Sequence, residues 1–376
     1  MSRSSDSASF DVVLVGHYGY DNFGDDLLAA IVADAVSSQS SSRRIAMVVA
    51  RRTNHFDRLS ERYQISLLGA DVAYQSSVKI VGGGGLYFDF GSRSSIISSS
   101  ILRLPAALRI LAARAVVKLK ARHAARARRV SSSVQTIAVG IGIGPFSDKS
   151  RRLVTSAGEL SKASQIWTRD TLSADTLSSF FGGRVNAMVG ADLAFALDLP
   201  SVEKKARSVA IVPRGGSSFF SDAEVIEATL RTYSSIIDLG LTPVVVTLGG
   251  PEDEAIREQI SSKCLHFLFY NGDNLEEVSR ELLNSEVVIS MRLHGLIVGA
   301  LGSAKLIHVG FDQKLVAGLT GSWPSPAWLN DGTSSMFATK GVCVPWDLSA
   351  AQAMPHESVL RQRSLALDML SSALRP

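Results

Sequence analysis

The feature that most limits how this chain can fold is an alternation. Short apolar runs that stop at glycine or a tight turn are each followed by a segment with helical spacing. Residues 10–16 form the first run, and residues 25–37 follow with Leu27, Leu28, Ile31, Val32 and Val36 on one broad face. Residues 45–50 and 78–81 are further runs, the second closed by Gly82-Gly83-Gly84-Gly85. Residues 136–139 are closed by Gly140-Ile141-Gly142-Ile143-Gly144-Pro145, and 165–168 and 186–189 predict two more short strands. Strands that alternate with helices in this way predict an α/β fold, a mostly parallel sheet with helices on both faces.

The pattern then starts again. Residues 199–207 are polar, begin Leu199-Pro200 and carry Lys204 and Lys205, so they predict a linker. Beyond them, strands are expected at 208–212, 243–248, 287–290 and 305–309, with helices at 222–239, 252–262, 275–284, 293–301 and 350–374. A chain of 376 residues has room for two domains. The expected organisation is two Rossmann-like domains, 1–200 and 207–350, facing across a cleft, with a C-terminal helix in 351–376 that crosses back to the first.

Composition narrows the class. With 46% hydrophobic and 20% charged residues the chain is globular rather than disordered. The two cysteines, Cys264 and Cys343, lack metal-ligand spacing and make no disulfide framework, which suits a reducing compartment. The Ser-rich start has no apolar core of a secretory signal, and no stretch reaches the roughly 18 apolar residues of a membrane span. The expectation is a cytoplasmic protein, soluble or peripheral on the inner face of the plasma membrane. Net charge is only +4, yet no acidic residue falls between Asp89 and Asp148. Within that window, 96–130 sets apolar residues at helical spacing among arginines and lysines, as in an amphipathic helix on an anionic membrane surface. The alternative is a packed helix with a solvated basic face. Nucleic acid is disfavoured, because no aromatic residue is interleaved between Ile96 and Val134 and no nucleic-acid module is present.

Two loops carry the chemistry. In open α/β sheets, ligands bind beyond the carboxyl ends of strands. Ser290-Met291-Arg292-Leu293-His294-Gly295 follows Val287-Val288-Ile289 at such an end. Arg292 can fork onto a carboxylate or phosphate, and His294 titrates near neutrality and can move a proton. The other loop is Gly16-His17-Tyr18-Gly19-Tyr20-Asp21-Asn22-Phe23-Gly24-Asp25-Asp26. It reads equally as a capped strand-to-helix turn and as a ligand loop, with Asn22 or Asp25 as cap. The adjacent carboxylates of Asp25 and Asp26 argue against phosphate bound there and suit contact with an acceptor hydroxyl. Gly82, Gly83 and Gly84 admit close approach of a ligand or of a neighbouring helix; the strand-end position favours the ligand. Arg214 and Lys314 lie at further strand ends and are candidate anion contacts, each otherwise an ordinary surface cation. Gly140 to Pro145 matches a dinucleotide fingerprint only loosely, so no nicotinamide cofactor is expected.

Together these segments resemble the polysaccharide pyruvyl transferase family. The resemblance rests on Gly16 to Asp26, Gly82 to Gly85, Gly140 to Pro145, Thr168-Arg169-Asp170 with Ser173, Asp192, Met291 to His294, and Phe311-Asp312-Gln313-Lys314, in the family's order. Two departures stand out: Asp26 replaces the family's usual glutamate, and the long basic stretch between Phe90 and Thr136 is not a hallmark of the family. The resemblance implies an architecture like the GT-B glycosyltransferases, with phosphoenolpyruvate as donor substrate and no other cofactor. It implies a saccharide acceptor, free or lipid-linked, in a bacterial cell-envelope glycan or glycolipid, with a pyruvate ketal and phosphate as products. His294 is then the acid/base group, helped by Arg292 and Asp25. Arg214, Arg292, Lys314, Gly82, Gly83 and Gly84 face the donor, and His17, Tyr18, Asn22 and Asp25 face the acceptor. No metal site is expected, and oligomeric state is not legible. The rival expectations are a nucleotide-sugar glycosyltransferase and a non-catalytic membrane-surface protein of envelope assembly.

Overall fold

The computed structural model describes residues 8–39, 42–87, 108, 111, 134–144, 158–198, 203–216, 220–310, 313–322, 330–331, 348 and 351–374. The first half builds β1 (Ala8–Val15), α1 (Phe23–Gln39), β2 (Ile45–Val49), α2 (Asn54–Tyr63), β3 (Ile65–Gly69), β4 (Tyr74–Tyr87), β5 (Gln135–Ile143), β6 (Gln165–Thr168), α3 (Thr171–Phe181) and β7 (Met188–Val189). Its strands form one parallel sheet in the order β3-β2-β1-β4-β5-β6-β7.

The second half builds β8 (Ser208–Val212), α4 (Asp222–Asp238), β9 (Thr242–Thr247), α5 (Glu254–Ser261), β10 (Phe267–Phe269), α6 (Leu275–Asn284), β11 (Val287–Ser290), α7 (Leu293–Leu301), β12 (Lys305–His308), α8 (Gln313–Thr320), β13 (Asn330–Asp331), β14 (Gln352–Ala353) and α9 (His356–Leu374). Here the order is β10-β9-β8-β11-β12-β13, with β14 antiparallel on β12. Both sheets have the Rossmann order, which reverses direction between β1 and β4 and again between β8 and β11. The two reversal points frame the site described below.

The central strands are apolar because both faces are covered. All five residues of β8 and all four of β11 are buried. Helix α4 starts with a reciprocal capping box between Ser221 and Glu224, a device that contributes about 1 kcal/mol. Helix α9 buries Ala366, Met369, Leu370, Ala373 and Leu374 and packs on α1 and β5, so the chain ends against the first sheet. Arg363 Nη1 also donates to the Leu197 carbonyl at 2.6 Å.

The glycine runs differ from the sequence expectation. They do not close their strands: β4 continues through Gly82 to Gly85, and β5 through Gly140 and Gly142. The reason is close packing. Gly83 has φ +61°, and a Cβ there would lie 2.7 Å from the Leu28 side chain of α1. At Gly140 a Cβ would lie 2.6 Å from Leu193. The strand therefore lacks side chains where a helix presses on it. Helix α2 escapes the sequence pattern because its apolar stripe is so thin, with only His55, Phe56 and Leu59 buried. The linker is described from 203 onward, where Lys204 Nζ donates to the Leu283 and Ser285 carbonyls at 3.1 and 2.7 Å, tying it to the second domain. The basic stretch 96–130 lies outside the described residues apart from 108 and 111. None of the described helices is long and apolar enough to cross a membrane.

Replacing Gly83 by valine should lower stability by roughly 2–4 kcal/mol, since it adds a left-handed β-branched residue to an overpacked contact. A fall in the thermal midpoint, with far-ultraviolet circular dichroism otherwise preserved, is the expected reading.

Candidate active site

The loop from Gly16 to Asp26 leaves β1 at the first reversal point and is held from both sides. Asp26 is 1% exposed; its Oδ1 accepts from the Gly19 N–H at 2.8 Å and its Oδ2 from the Tyr270 hydroxyl at 2.8 Å. Tyr270 belongs to the second domain and sets its ring edge-on to Phe23 at 5.6 Å. The Phe23 N–H donates to the Leu248 carbonyl at 2.9 Å, and Asn22 forms a lone β-bridge with Gly249. Asn22 also caps α1, its Oδ1 accepting from the Gly24 N–H at 3.1 Å. The start of α1 is thus fastened to the loops that follow β9 and β10.

His294, in the first turn of α7, comes from the second reversal point and lies directly against Gly24, with its Nδ1 edge where a Cβ would stand. Any side chain at position 24 would displace the ring. On the far edge, His294 Nε2 is 3.6 Å from Asp192 Oδ1. Asp192 has no exposed surface; it accepts from the Ala194 N–H at 3.0 Å and lies 3.7 Å from Arg169 Nη1. Arg169 is itself held by Asp170, Nε to Oδ2 at 2.9 Å. Burial alone would raise the Asp192 carboxyl, but His294, Arg169 and the Ala194 N–H together hold it below the ordinary carboxylate range. The histidine of one domain therefore meets an ionised carboxylate of the other.

Asp25 is the counterpart on the open side. Burial pushes its carboxyl up to about 7; His294 opposes the shift, while Asp26, Asp192 and Glu252 add to it. Burial likewise raises Asp26 to about 6, against the pull of the Gly19 and Tyr270 hydrogen bonds. A carboxyl near 7 beside an imidazole can exchange protons at neutral pH.

Arg292 stands at the cap of α7, with its side chain 10% exposed. Its Nη2 donates to Asp253 Oδ1 at 2.6 Å and to the Gly249 carbonyl at 3.1 Å, with Glu252 Oε1 further off at 3.5 Å. Its buried Nε has no hydrogen-bond partner. Asp253 Oδ1 also accepts from the Gly215 N–H at 3.0 Å, which ties the loops after β8 and β9 together beside Arg214. Arg214 is half-buried at the end of β8. Lys314 opens α8, but its side chain lies outside the described residues, as does Asp312.

Several expectations are corrected. Tyr18 does not face an acceptor: it is 1% exposed, and its hydroxyl donates to the Gly82 carbonyl at 2.9 Å. Gly82 and Gly83 are packed by Tyr18 and Leu28 rather than open to a donor, and a Cβ on Gly84 would lie 2.5 Å from Asp25 Oδ1. The glycines serve the approach of α1. Asn22 spends its side chain on the cap and its backbone on the bridge to Gly249. His17 remains exposed, stacked on Tyr20. Glu252, Asp253 and Tyr270 were not foreseen. Their only signal was position, at the ends of Gly249-Gly250 and of the 267–269 strand. A cavity of about 810 Å³ lies elsewhere, between α1, α2, α6 and α9, and contains none of these site residues.

Two Rossmann-like domains, with His294, Asp25, Asp192 and Arg292 gathered where their sheets reverse, give the chain a GT-B-like architecture. The sequence profile of the polysaccharide pyruvyl transferase family matches residues 22–311, and the chain belongs to that family. No curated protein matches it. Among solved structures, similarity extends to Staphylococcus aureus MnaA in a co-structure with UDP, at 11% identity over 79% of each chain, TM-score 0.44. It extends also to UDP-GlcNAc 2-epimerase from Neisseria meningitidis bound to UDP-GlcNAc, at 9% identity over 96% of this chain and 93% of that one, TM-score 0.41. A variant of the wall teichoic acid polymerase TagF matches at 10% identity over 97% and 82%, TM-score 0.45.

The raised carboxyls have a consequence for stability. An acid whose folded value lies above its unfolded value binds more protons when folded, so stability falls as pH rises from about 4 to about 7. Asp25→Asn should remove its share of that slope, at most about 1.4 kcal/mol per pH unit for one proton. Thermal midpoints of wild type and variant between pH 5 and 8 should diverge, with the variant the more stable at the alkaline end.

Proposed function

We propose that this transferase moves the three-carbon unit of phosphoenolpyruvate onto two hydroxyls of a saccharide, forming a pyruvate ketal and releasing phosphate. The observation that carries the reading is the His294 contact: an imidazole from the second domain lies against Gly24, beside Asp25 at its raised value, with Asp192 behind it. The acceptor belongs to a cell-envelope glycan or glycolipid, free or lipid-linked. No other cofactor takes part.

The chemistry needs a proton delivered to C3 of the enol, which makes C2 electrophilic. His294 delivers it, while Asp192 stabilises the imidazolium. An acceptor hydroxyl adds at C2 and gives its proton to Asp25. The C2–O bond to phosphate then breaks, and the electron pair leaves with phosphate. A second hydroxyl adds at C2 and closes the ring, its proton passing to the basic group then free. The enol CH₂ has become CH₃, and one proton in total leaves with phosphate.

The donor carries two anionic groups. Arg292 Nε, buried and unpartnered, meets one of them, and Arg214 and Lys314 hold the rest. Glu252 is the more distant of the two carboxylates on Arg292 and the one a donor anion would displace. The contact of 3.6 Å between His294 and Asp192 shortens in the loaded complex, as hydrogen bonds of empty active sites commonly do.

Phosphate release from phosphoenolpyruvate, measured with a panel of free and lipid-linked saccharides, is the direct test. Wild type should release phosphate only when an acceptor is present, and His294→Gln should lose about 10²–10⁴-fold. Release that persists in this variant, or nucleotide-sugar turnover in its place, overturns the reading. Asp192→Asn should lower kcat more than the KM for phosphoenolpyruvate, and should shift the pH profile of kcat, since it removes the charge that favours imidazolium. An unshifted profile would make Asp192 a purely structural residue.

A further inference from the structure

We propose that His17 and Tyr20 form a platform for the apolar face of a pyranose ring, at the acceptor side of the cleft. The inference rests on the reading of the acceptor as a saccharide and adds Tyr20 as the residue that seats it. The two rings are stacked, with centroids 3.9 Å apart and planes 5° from parallel. Both side chains are exposed, Tyr20 at 47%, so the pair contributes little to the core. The loop that carries them lies against the second domain, where a Cβ on Gly249 would run into the Asp21 carbonyl, so the pair sits at the interface between the two sheets.

The loop that carries the rings is rigid, although the rings are open. Asp21, next to Tyr20, has φ +57°, a left-handed conformation that a non-glycine residue adopts at a cost. It is held there by an ion pair with Arg51 and by the second domain, where a Cβ on Gly272 would lie 2.6 Å from Asp21 Oδ1. On the other side, the Gly19 N–H is fixed by Asp26.

The ligand class follows from the rings. An aromatic face carries negative potential and attracts weakly positive C–H edges. One face of a pyranose presents several axial C–H groups in a patch about the size of a phenol ring, while its hydroxyls project sideways. Tyrosine supplies such area at little conformational cost, because only two torsions are fixed. A sugar seated on the pair would rest on the loop that leads into Asp25, in the first turn of α1.

The test is saturation-transfer difference NMR with methyl glucopyranosides, galactopyranosides and mannopyranosides of both anomeric forms, on wild type, Tyr20→Ala and Tyr20→Phe. No donor is present. Wild type should transfer saturation to the axial C–H protons of one sugar face for at least one pyranoside. Tyr20→Ala should weaken that ligand about tenfold, and Tyr20→Phe, which keeps the ring and loses the hydroxyl, should retain it. Absence of transfer to any pyranoside, or equal transfer in Tyr20→Ala, overturns the platform. Because the measurement contains no turnover, it separates the two readings. Pyranoside binding lost in Tyr20→Ala, without any use of phosphoenolpyruvate by wild type, would overturn the donor chemistry alone.

Discussion

The contact between Gly24 and His294 is the point on which the architecture turns. It joins the first turn of α1 to the first turn of α7, each leaving its sheet where strand order reverses. The contact forms only because position 24 has no side chain and because the loop is fastened across the interface by Asp26 to Tyr270 and by Phe23 to Leu248. Remove those bonds and His294, Asp25 and Asp192 no longer share a space. The site belongs to neither domain alone.

Electrostatics follow from that meeting. Five carboxylates, those of Asp25, Asp26, Asp192, Glu252 and Asp253, gather near two helix N-termini and the cations Arg169 and Arg292. Partners decide the direction for Asp192, which Arg169, His294 and a backbone N–H hold low, whereas burial outweighs the hydrogen bonds and ion pairs of Asp26 and Asp253 and raises them. Asp25 has only the histidine, and it rises. Neighbouring carboxyls whose environments push them apart can divide the roles of proton acceptor and charge stabiliser. Arg292 shows the opposite economy, since Asp253 and Glu252 compensate for its burial and keep it charged without a ligand.

Much of this was legible in the residues. The alternation of apolar runs and helical spacing foretold two α/β units, and 275–284, 287–290 and 293–301 match their elements residue for residue. The loops at 16–26 and 290–295 stood out because chemically able side chains followed apolar runs. Errors arose where one residue type serves two ends. Glycine in Gly82 to Gly85 signals close approach, but it does not say whether helix or ligand approaches; Leu28 and Tyr18 supplied that answer. Tyr18 sits one residue from His17, and the strand-to-loop turn buries one and exposes the other.

Periodicity and residue chemistry decide local elements and the kind of reaction a loop can support, because both act over a few neighbouring residues. Which groups face each other is a matter of long-range geometry. The Asp192 carboxylate beside His294, the Glu252 and Asp253 pair on Arg292 and the Tyr270 hydroxyl on Asp26 join positions 39 to 244 residues apart. No local pattern encodes those pairings. They exist because two sheets with the same strand order set their reversal points opposite one another, and burial there shifts the proton affinities of ordinary carboxyls beside one histidine.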